Sequence, residues 1–365
     1  MHRRRSALRS TTMSLKKKKT VKEKTRKLLA LAKGRKRALI FIQDNPDPDA
    51  IGAAVGLARL LKAKRKTTSA ITFNGVIGRA ENQAMVERLK VNLQELSGLN
   101  IDDYDLIAMV DTQPGTGNNS LPPDRTPDIV IDHHPFREET KGAAYYDVRD
   151  NYGATSSILT EYLFEEGVKL SQKLATALAF GIKTDTRNLG RETSVLDIDA
   201  YSHVLSRANQ RLLAKIEDGK VPQEYFAVLA DAMKGASIYE DVIVSGLGDI
   251  DNPDMVGEIA DLLLRLENIR CALCFGFFED QGILSIRTVD EELNAGELAQ
   301  AMLKQSPYLA GHGTAGGHGM MAGGQIRLEE KSDKEIERAA REIRNSFLEA
   351  IGVRKRARRN LIKES

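Results

Sequence analysis

Two adjacent histidines, His133 and His134, follow an aspartate, Asp132, at the end of the strand-like run D-I-V-I over 128–131. The chain contains six histidines, so a side-by-side pair at the end of a buried strand indicates a chemical use. Imidazole binds divalent metals and exchanges protons near neutral pH. The pair is therefore a candidate metal-binding or catalytic group.

Four aspartates occupy comparable positions, each at the end of a predicted strand or helix. Asp47 and Asp49 lie in N-P-D-P-D after the first predicted strand, Asp111 follows the third, and Asp185 follows a helix that ends near 182. Carboxylates that converge repel one another and resist ionisation, and a divalent cation removes that cost. Aspartates with one or two histidines suit Mn²⁺, and also Mg²⁺, better than a structural zinc.

Helix capping is the alternative for any one of these aspartates, because Asp is a favoured residue at helix starts and in turns. Asp49, for example, would cap a helix that begins at Ala50. Capping explains single positions but not the ordered series of D-P-D, a lone strand-end Asp, D-H-H and T-D-T. The series favours a shared metal site.

The elements that would position these residues alternate between strands and helices. Strands are predicted at 37–43, 69–73, 104–111 and 128–132, and helices at 50–62, 82–96, 153–164 and 171–182. Such alternation is typical of a parallel sheet with helices on both faces, so the predicted fold class is α/β. Ligands bind these sheets beyond the carboxyl ends of the strands, where the candidate residues fall.

A second, smaller α/β unit is predicted after a helical connector. Its strands are placed at 241–247, 269–278 and 282–288, its helices at 255–266, 295–303 and about 333–350, and a glycine-dense loop at 311–324. The predicted domains are a basic extension (1–35), a catalytic domain (36–195), the connector (196–238), a substrate-binding domain (239–350) and a basic tail (351–365).

Composition excludes several classes of protein. At 41% hydrophobic residues the chain can form a core, yet no apolar run is long enough for a membrane span and no signal peptide is recognisable. We therefore expect a cytoplasmic protein without a membrane partner. Cys271 and Cys274 have the spacing of half a zinc site, but on a strand they would point to opposite faces. We expect reduced core cysteines.

Both termini are basic. Residues 1–27 carry twelve Lys or Arg against one acid, and residues 354–365 carry six against one, although the whole chain has a net charge of +3. Basic arms on an acidic body are compatible with contacts to nucleic acid. The alternative, which we favour, is a solvated extension with no partner.

These motifs resemble those of the DHH phosphoesterase family over most of the chain. N-P-D-P-D-A-I-G (45–52) resembles the first family motif, V-D-T (110–112) the second, I-D-H-H-P (131–135) the third and G-I-K-T-D-T (181–186) the fourth. The second unit resembles the DHH-associated domain, with L-S-I-R (284–287) and G-G-H-G-M-M-A-G-G (316–324) as its signatures. The group of nanoRNases and pAp phosphatases is the most similar in size.

The resemblance implies a site with two metals per chain, Mn²⁺ with Mg²⁺ or Co²⁺ as alternatives. Asp47 and Asp111 would bind the first metal, and Asp49, Asp111, His133 and Asp185 the second. His134 would face the scissile phosphate and Asp132 would orient its neighbours. Family members usually have a histidine ligand four residues before the first motif aspartate, where this chain has Gln43. An amide oxygen is a weaker donor than imidazole to Mn²⁺, so Gln43 is an uncertain ligand.

The implied activity is hydrolysis of short RNA or DNA oligonucleotides or nucleotide phosphates (nanoRNA, pApA, pAp) by metal-activated water. In the second unit, Arg287 would contact a phosphate, and Gly316, Gly317 and His318 would line its binding site. One alternative is a single-strand exonuclease or polyphosphatase with the same site. Another is a non-catalytic nucleotide- or RNA-binding protein whose first metal site is weakened by Gln43. A homodimer is left open.

Overall fold

A computed structural model describes residues 20–190, 193–354 and 357–362, apart from the side chain of His318. The chain divides into two compact units, Met1–Lys220 and Val221–Ser365. The prediction of a basic N-terminal arm falls largely on residues 1–19, outside the described residues. Within the described ranges, no helix combines the length and the apolar character that crossing a bilayer requires.

A six-stranded parallel sheet forms the centre of the first unit, with strand order β3-β2-β1-β4-β5-β6. The chain builds one half of the sheet from β1 to β3 and then crosses back to start the other half at β4. The switch point between the two halves therefore lies between β1 and β4. The strands are Arg37–Phe41 (β1), Thr68–Phe73 (β2), Leu93–Glu95 (β3), Leu106–Val110 (β4), Ile129–Asp132 (β5) and Tyr145–Val148 (β6).

The two faces of this sheet are covered differently. Long helices pack on one face, while short 3₁₀ helices and loops cover the other over Leu39, Phe41, Met109 and Val130. The long helices are 20–31 (α1), Pro48–Arg65 (α2), Ala80–Leu89 (α3), Thr155–Glu165 (α4), Gln172–Asp185 (α5), Val195–Leu205 (α6) and Gln210–Glu217 (α7). The 3₁₀ helices are Leu96–Gly98, Ile101–Asp103 and Glu138–Gly142. The predicted α/β class with a parallel sheet is confirmed.

Several boundaries differ from the sequence-based expectation. The helix predicted at 82–96 ends at Leu89 and is followed by the short edge strand β3, and the edge strand β6 was not predicted. Helix α1 lies inside the predicted extension 1–35, yet its Leu28 is fully buried in the first core. Edge strands and docked terminal helices depend on distant partners, so their local sequence patterns are weak.

Helices α2 and α5 pack closely because glycine occupies their contact. A Cβ on Gly181 of α5 would lie 2.6 Å from Ser156 Oγ and 2.9 Å from the carbonyl oxygen of Pro48. A Cβ on Gly52 of α2 would lie 2.9 Å from the carbonyl oxygen of Ala177. These glycines bring the end of α5, which carries Asp185, against the start of α2, which carries Asp49.

The second unit contains a mixed seven-stranded sheet, with strand order β11-β12-β10-β9-β8-β7-β13 and one parallel pair, β8 with β9. Helices α10, α11 and α12 cover one face, and α8 and α9 cover the other. The strands are Ser237–Tyr239 (β7), Val242–Asp249 (β8), Cys271–Phe278 (β9), Gln281–Thr288 (β10), Gly313–His318 (β11), Met321–Arg327 (β12) and Arg359–Asn360 (β13). The helices are Gln223–Gly235 (α8), Asp254–Leu263 (α9), Ala295–Gln305 (α10), Pro307–His312 (α11) and Asp333–Ala350 (α12).

The expectation of a glycine-dense loop at 311–324 is wrong, because most of this segment forms the hairpin β11–β12. Glycine is required there for packing between strands. A Cβ on Gly317 would lie 2.3 Å from the carbonyl oxygen of Met321, and one on Gly324 would lie 2.8 Å from that of Thr314. As expected, Cys271 and Cys274 are buried and unpaired, and they belong to the cores on opposite faces of β9.

The predicted connector, 196–238, is divided between the two units. Helices α6 and α7 contribute Val204 and Ile216 to the core of the first unit. Helix α8 contributes Ala232 to a core of the second unit. The predicted tail, 351–365, includes β13, which pairs antiparallel with β7.

Candidate metal centre

The candidate residues of the first unit gather at the carboxyl ends of β1, β4 and β5, beside the switch point. Asp47 and Asp49 begin α2 after β1, Asp111 follows β4, and Asp132 ends β5 directly before the two histidines. Asp185 is the last residue of α5. Asp111 has a left-handed backbone with φ 60°, a conformation that costs energy for a non-glycine residue and is often found at functional sites.

Two overlapping groups of donor atoms have the spacing that a metal ion needs. One group is Asp49, His133 and Asp185, the other is Asp111, His133 and His134, and in each the donor atoms lie within 4.8 Å of one another. His133 Nε2 lies 3.0 Å from Asp185 Oδ2 and 3.6 Å from Asp111 Oδ1. His133 is thus common to both groups.

The imidazole of His133 is oriented so that Nε2 points into this cluster. Its Nδ1 lies 3.1 Å from the carbonyl oxygen of Tyr152, to which it donates a hydrogen bond. Nε2 is buried in the cluster, lies 3.0 Å from Asp185 Oδ2 and meets no hydrogen-bond geometry with the described residues. Burial alone would lower the pKa of His133, but Asp185, Asp111 and Asp49 raise it well above its usual value. A histidine whose Nδ1 is held by a carbonyl and whose Nε2 is directed at carboxylates is typical of a metal ligand once a cation replaces the proton.

The aspartates around α2 have different structural partners. Asp47 caps α2 by accepting a hydrogen bond of 2.9 Å from the amide of Ala50, so Asp49 does not cap this helix. Asp49 accepts hydrogen bonds instead from the amides of Thr155 and Ser156, at 2.6 and 2.8 Å, at the start of α4. A carboxylate at a helix N-terminus is stabilised by unpaired amides and by the helix dipole.

Thr155 connects two candidate ligands and was not predicted from the sequence. Its amide bonds to Asp49, and its Oγ1 donates to Asp111 Oδ1 at 2.8 Å. Helix α4 begins at Thr155, and its N-cap residue, Ala154, has no side chain that could cap it. In the sequence, Gly153 and Ala154 offer no capping side chain before this helix. That absence was the available signal that a distant carboxylate, here Asp49, caps it.

Asp132 does not belong to either donor group but supports the histidines. Its Oδ1 accepts hydrogen bonds from the amide of His133 at 2.8 Å and from His134 Nδ1 at 2.9 Å. Its Oδ2 accepts a hydrogen bond of 2.6 Å from Gln113 Nε2. The side chain of Gln113, a second residue that sequence reasoning missed, is fully buried.

The pKa values of Asp49 and Asp111 are raised. Burial and the charge of Asp185 raise the pKa of Asp49 to about 7, in spite of nearby His133. Burial and the charges of Asp49 and Asp47 raise the pKa of Asp111 well above its ordinary range. The cluster therefore holds more negative charge than its own residues balance, which fits a cation-binding site.

The pKa values of Asp47, Asp132 and His134 are shifted by burial and by neighbouring side chains. Burial and the charge of Asp185 raise the pKa of Asp47, while a hydrogen bond from the side chain of Gln43 opposes the rise. Burial alone would raise the pKa of Asp132, but bonding to His134 and the charges of both histidines lower it. Burial alone would lower the pKa of His134, but Asp132 raises it. Asp132 and His134 thus stabilise each other's charged forms.

The predicted substrate residues belong to the second unit. Arg287 lies on β10, and its Nε donates a 3.1 Å hydrogen bond to Asp261 Oδ1. Gly316 and Gly317 lie on β11, and the side chain of His318 is outside the described part of the chain. Gln43, Asp47, Asp49, Asp111, Asp132, His133, His134 and Asp185 all belong to the first unit.

The parallel sheet and the acidic and imidazole cluster at its switch point have counterparts in a known protein family. The DHH family, N-terminal domain, matches residues 37–182, and the DHHA1 domain matches residues 240–345. The chain belongs to the DHH family and carries a C-terminal DHHA1 domain.

Several curated proteins are similar in sequence. An uncharacterized protein from Methanocaldococcus jannaschii is 36% identical, over 87% of this chain and 64% of that protein. The cyclic-di-AMP phosphodiesterase PdeA of Listeria monocytogenes is 24% identical, over 69% and 42%. The probable bifunctional oligoribonuclease and PAP phosphatase NrnA of Streptococcus mutans is 28% identical, over 44% and 48%. The chain spans less than two thirds of the length of each of these relatives.

A probable manganese-dependent inorganic pyrophosphatase from Listeria monocytogenes is 26% identical, over 41% of this chain and 48% of that protein. Among solved structures, an exopolyphosphatase-related protein from Bacteroides fragilis has a TM-score of 0.69 at 14% identity, and covers 90% of this chain and 98% of that one. At this identity the structural likeness shows the fold alone.

Proposed function

We propose that the protein is a metal-dependent phosphoesterase that hydrolyses short oligonucleotides or nucleotide phosphates such as nanoRNA, pApA and pAp. One observation carries the proposal: aspartates with raised pKa values meet around the buried Nε2 of His133, which lies 3.0 Å from Asp185 Oδ2 and 3.6 Å from Asp111 Oδ1. Such a cluster is unfavourable by itself and becomes favourable when divalent cations bind.

The donor set suits Mn²⁺, since carboxylates combined with imidazole bind this ion well. Asp47 and Asp111 would hold one ion, with the amide oxygen of Gln43 as a weak additional donor. Asp49, Asp111, His133 and Asp185 would hold a second. Bound ions of this kind lower the pKa of a water molecule and stabilise charge on the phosphoryl oxygens. The similar manganese-dependent pyrophosphatase supports this choice of metal.

His134 is the candidate catalytic residue at the phosphate. Its Nδ1 is held by Asp132, and 36% of its side chain is exposed, which leaves Nε2 as the atom that meets the substrate. Asp132 favours the imidazolium form, and an imidazolium donates a charge-assisted hydrogen bond to a phosphoryl oxygen. Gln113 keeps Asp132 in place from the opposite oxygen.

The substrate class rests on the relatives and on Arg287. One similar protein is named as a cyclic-di-AMP phosphodiesterase, and another as a probable bifunctional oligoribonuclease and PAP phosphatase. The guanidinium of Arg287 is well suited to contact a phosphate through two nitrogens. Gly316 and Gly317 would allow the backbone of β11 to approach an anion closely.

A panel of substrates with Mn²⁺ tests the proposal: pAp, pApA, RNA of two to five nucleotides, longer single-stranded DNA, and polyphosphate. Turnover of the short nucleotides above the other substrates is expected. Preference for long DNA or polyphosphate would support the exonuclease or polyphosphatase alternative. The metal content of the purified protein separates the enzyme, with two Mn²⁺ per chain, from a non-catalytic binder with none.

The variant Asp111→Ala is the control for the site. Removal of the carboxylate that lies in both proposed metal sites is expected to lower turnover at least about a thousandfold, which corresponds to about 4 kcal/mol. Asp44→Ala is the matched control for Asp111→Ala. It also removes an aspartate, but Asp44 accepts its hydrogen bonds from the hydroxyl of Ser120 and the amide of Asn74. Equal activity of Asp111→Ala and the parent would show that the site is wrongly assigned.

A further inference from the structure

Phe136, in the loop after the two histidines, and Tyr146, on β6, form an exposed aromatic pair. Their exposed fractions are 40% and 46%, and their ring centroids lie 5.6 Å apart at an interplanar angle of 51°. Aromatic rings gain much free energy when they are buried. A contacting pair left in solvent, two residues beyond His134, therefore indicates a ligand that covers it.

Gln113 fixes this loop relative to the catalytic pair Asp132 and His134. The same Nε2 that donates to Asp132 lies 3.1 Å from the carbonyl oxygen of Pro135. Its Oε1 accepts a 2.9 Å hydrogen bond from the amide of Arg137. Pro135 and Arg137, on either side of Phe136, thus both bond to the side-chain amide of Gln113, which also bonds to Asp132. This amide fixes the position of the loop relative to Asp132 and His134.

Charged side chains of both signs lie beside the aromatic rings. The ammonium of Lys141 is 6.0 Å from the ring centroid of Phe136, and the exposed Arg137 is its direct neighbour. Glu138 pairs with Lys141 at 2.6 Å, and with Glu139 it gives the segment 137–141 as many acidic as basic side chains. The recognition element on this surface is therefore the pair of rings, and exposed aromatic rings bind single-stranded nucleotides because bases stack on them.

We infer that Phe136 and Tyr146 form a stacking platform for a nucleobase of the substrate. This inference rests on the proposed function and narrows it, because pyrophosphate and polyphosphate have no base to stack. The platform selects phosphoesters that carry a base near the scissile bond. Tyr146 lies on the edge strand β6, so a second copy of the chain is the competing occupant of this surface.

Steady-state kinetics with Mn²⁺ on a dinucleotide and on its abasic analogue test the platform. Phe136→Ala and Tyr146→Ala are each expected to raise KM for the dinucleotide about tenfold with kcat unchanged, the scale of one lost base stack. KM for the abasic analogue is expected to stay constant. Phe136→Tyr, which keeps an aromatic ring, is expected to restore the parental KM.

Phe164→Ala is the matched control, because Phe164 is an exposed phenylalanine of α4 that contacts only the ring of His203 among the described aromatic neighbours. Phe164→Ala is expected to leave KM unchanged for both the dinucleotide and the abasic analogue. An unchanged dinucleotide KM in both platform variants would overturn the inference and leave the proposed function intact. A change of oligomeric state in those variants would overturn it in favour of an interface between copies. Absence of turnover of any phosphoester by the parent would remove the proposed function and the inference together.

Discussion

Two buried acidic clusters of the first unit show opposite ways to hold carboxylates out of water. At the candidate metal centre, burial raises the pKa values of Asp49 and Asp111, and neighbouring aspartates raise them further in spite of His133. At the end of β6, Asp147 is paired with Arg149 through a bidentate contact of 2.6–3.0 Å and also with Lys24. Burial alone would raise the pKa of Asp147, but Arg149 and Lys24 lower it.

The sign of the charges around a buried carboxylate distinguishes a structural cluster from a candidate binding site. The Asp147 cluster contains its own cations, and Arg149 also bonds to Glu161 at 2.8 Å, so it is complete when the chain has folded. The Asp49–Asp111 cluster sets the imidazoles of His133 and His134 against its aspartates, and we expect a bound cation to complete its charge balance. Burying charge is costly unless it is paired, so the unbalanced cluster needs a function to explain it.

The largest predicted effect on stability concerns the balanced cluster. Asp147→Asn leaves Arg149 and Lys24 without their shared partner and should lower the free energy of unfolding by about 3–5 kcal/mol at pH 7. Because the pKa of Asp147 is lowered by folding, its stabilisation is present above the unfolded pKa and is lost on acidification. The difference between variant and parent should therefore shrink below about pH 4.

Urea unfolding followed by circular dichroism measures this effect. Asp150→Asn, on an exposed residue of the same segment, is the matched control and should change the free energy by at most about 0.5 kcal/mol. Equal effects of the two variants would mean that Asp147 is not part of a structural cluster.

Metal binding should stabilise the protein through the other cluster. At Mn²⁺ concentrations a hundredfold above Kd, the free energy of unfolding should rise by about 2.7 kcal/mol. Asp147→Asn should retain this increment, while Asp111→Asn should lose most of it. Thermal unfolding with Mn²⁺ and with a chelator measures it, and an increment that Asp111→Asn leaves intact would place the metal elsewhere.

Removal of charge from the unbalanced cluster should stabilise the metal-free protein. Asp111→Asn keeps an oxygen acceptor for Thr155 but eliminates a charge among Asp47 and Asp49. In chelator at pH 7, the free energy of unfolding should rise by on the order of 2 kcal/mol, because the raised pKa of Asp111 costs the folded state stability there. This change is opposite in sign to that of Asp147→Asn. A loss of stability would contradict the view that this cluster is unbalanced.

The smallest expected effect is at Gln43. Gln43→His introduces a better donor for Mn²⁺ beside Asp47, and affinity should stay equal or rise by up to about tenfold, roughly 1.4 kcal/mol. Isothermal titration with Mn²⁺ measures it, with Gln83→His, on an exposed residue of α3, as the control. A marked loss of affinity would show that the hydrogen bond from Gln43 to Asp47 has a role of its own.

Much of the fold was predictable because the strongly periodic elements are local. The runs that became β1, β2, β4 and β5 and the long helices α2, α4 and α5 lie close to their predicted ranges. The hairpin β11–β12 was missed because glycine normally weakens strands. Its glycines are explained by contacts with neighbouring strands, which no local pattern contains.

The part of the candidate site that residue type and position at strand ends reveal, its aspartates and histidines, was predictable from the sequence. The roles of the aspartates and histidines as metal ligands stay predictions. Thr155 and Gln113 were missed because threonine near a helix start and glutamine in a loop are ordinary residues. Their importance lies in hydrogen bonds to Asp111 and Asp132, partners 44 and 19 residues away in the sequence.

The sequence alone determined the alternation of strands and helices and the placement of acids and imidazoles at the ends of elements, because periodicity and residue type are local properties. The tertiary structure decided which carboxylates are balanced and which are not. Asp49, Asp111 and Asp147 look alike along the chain, but only Asp147 folds against an arginine and a lysine. Charge balance depends on distances between remote residues, and those distances exist only after the sheet and its helices have assembled.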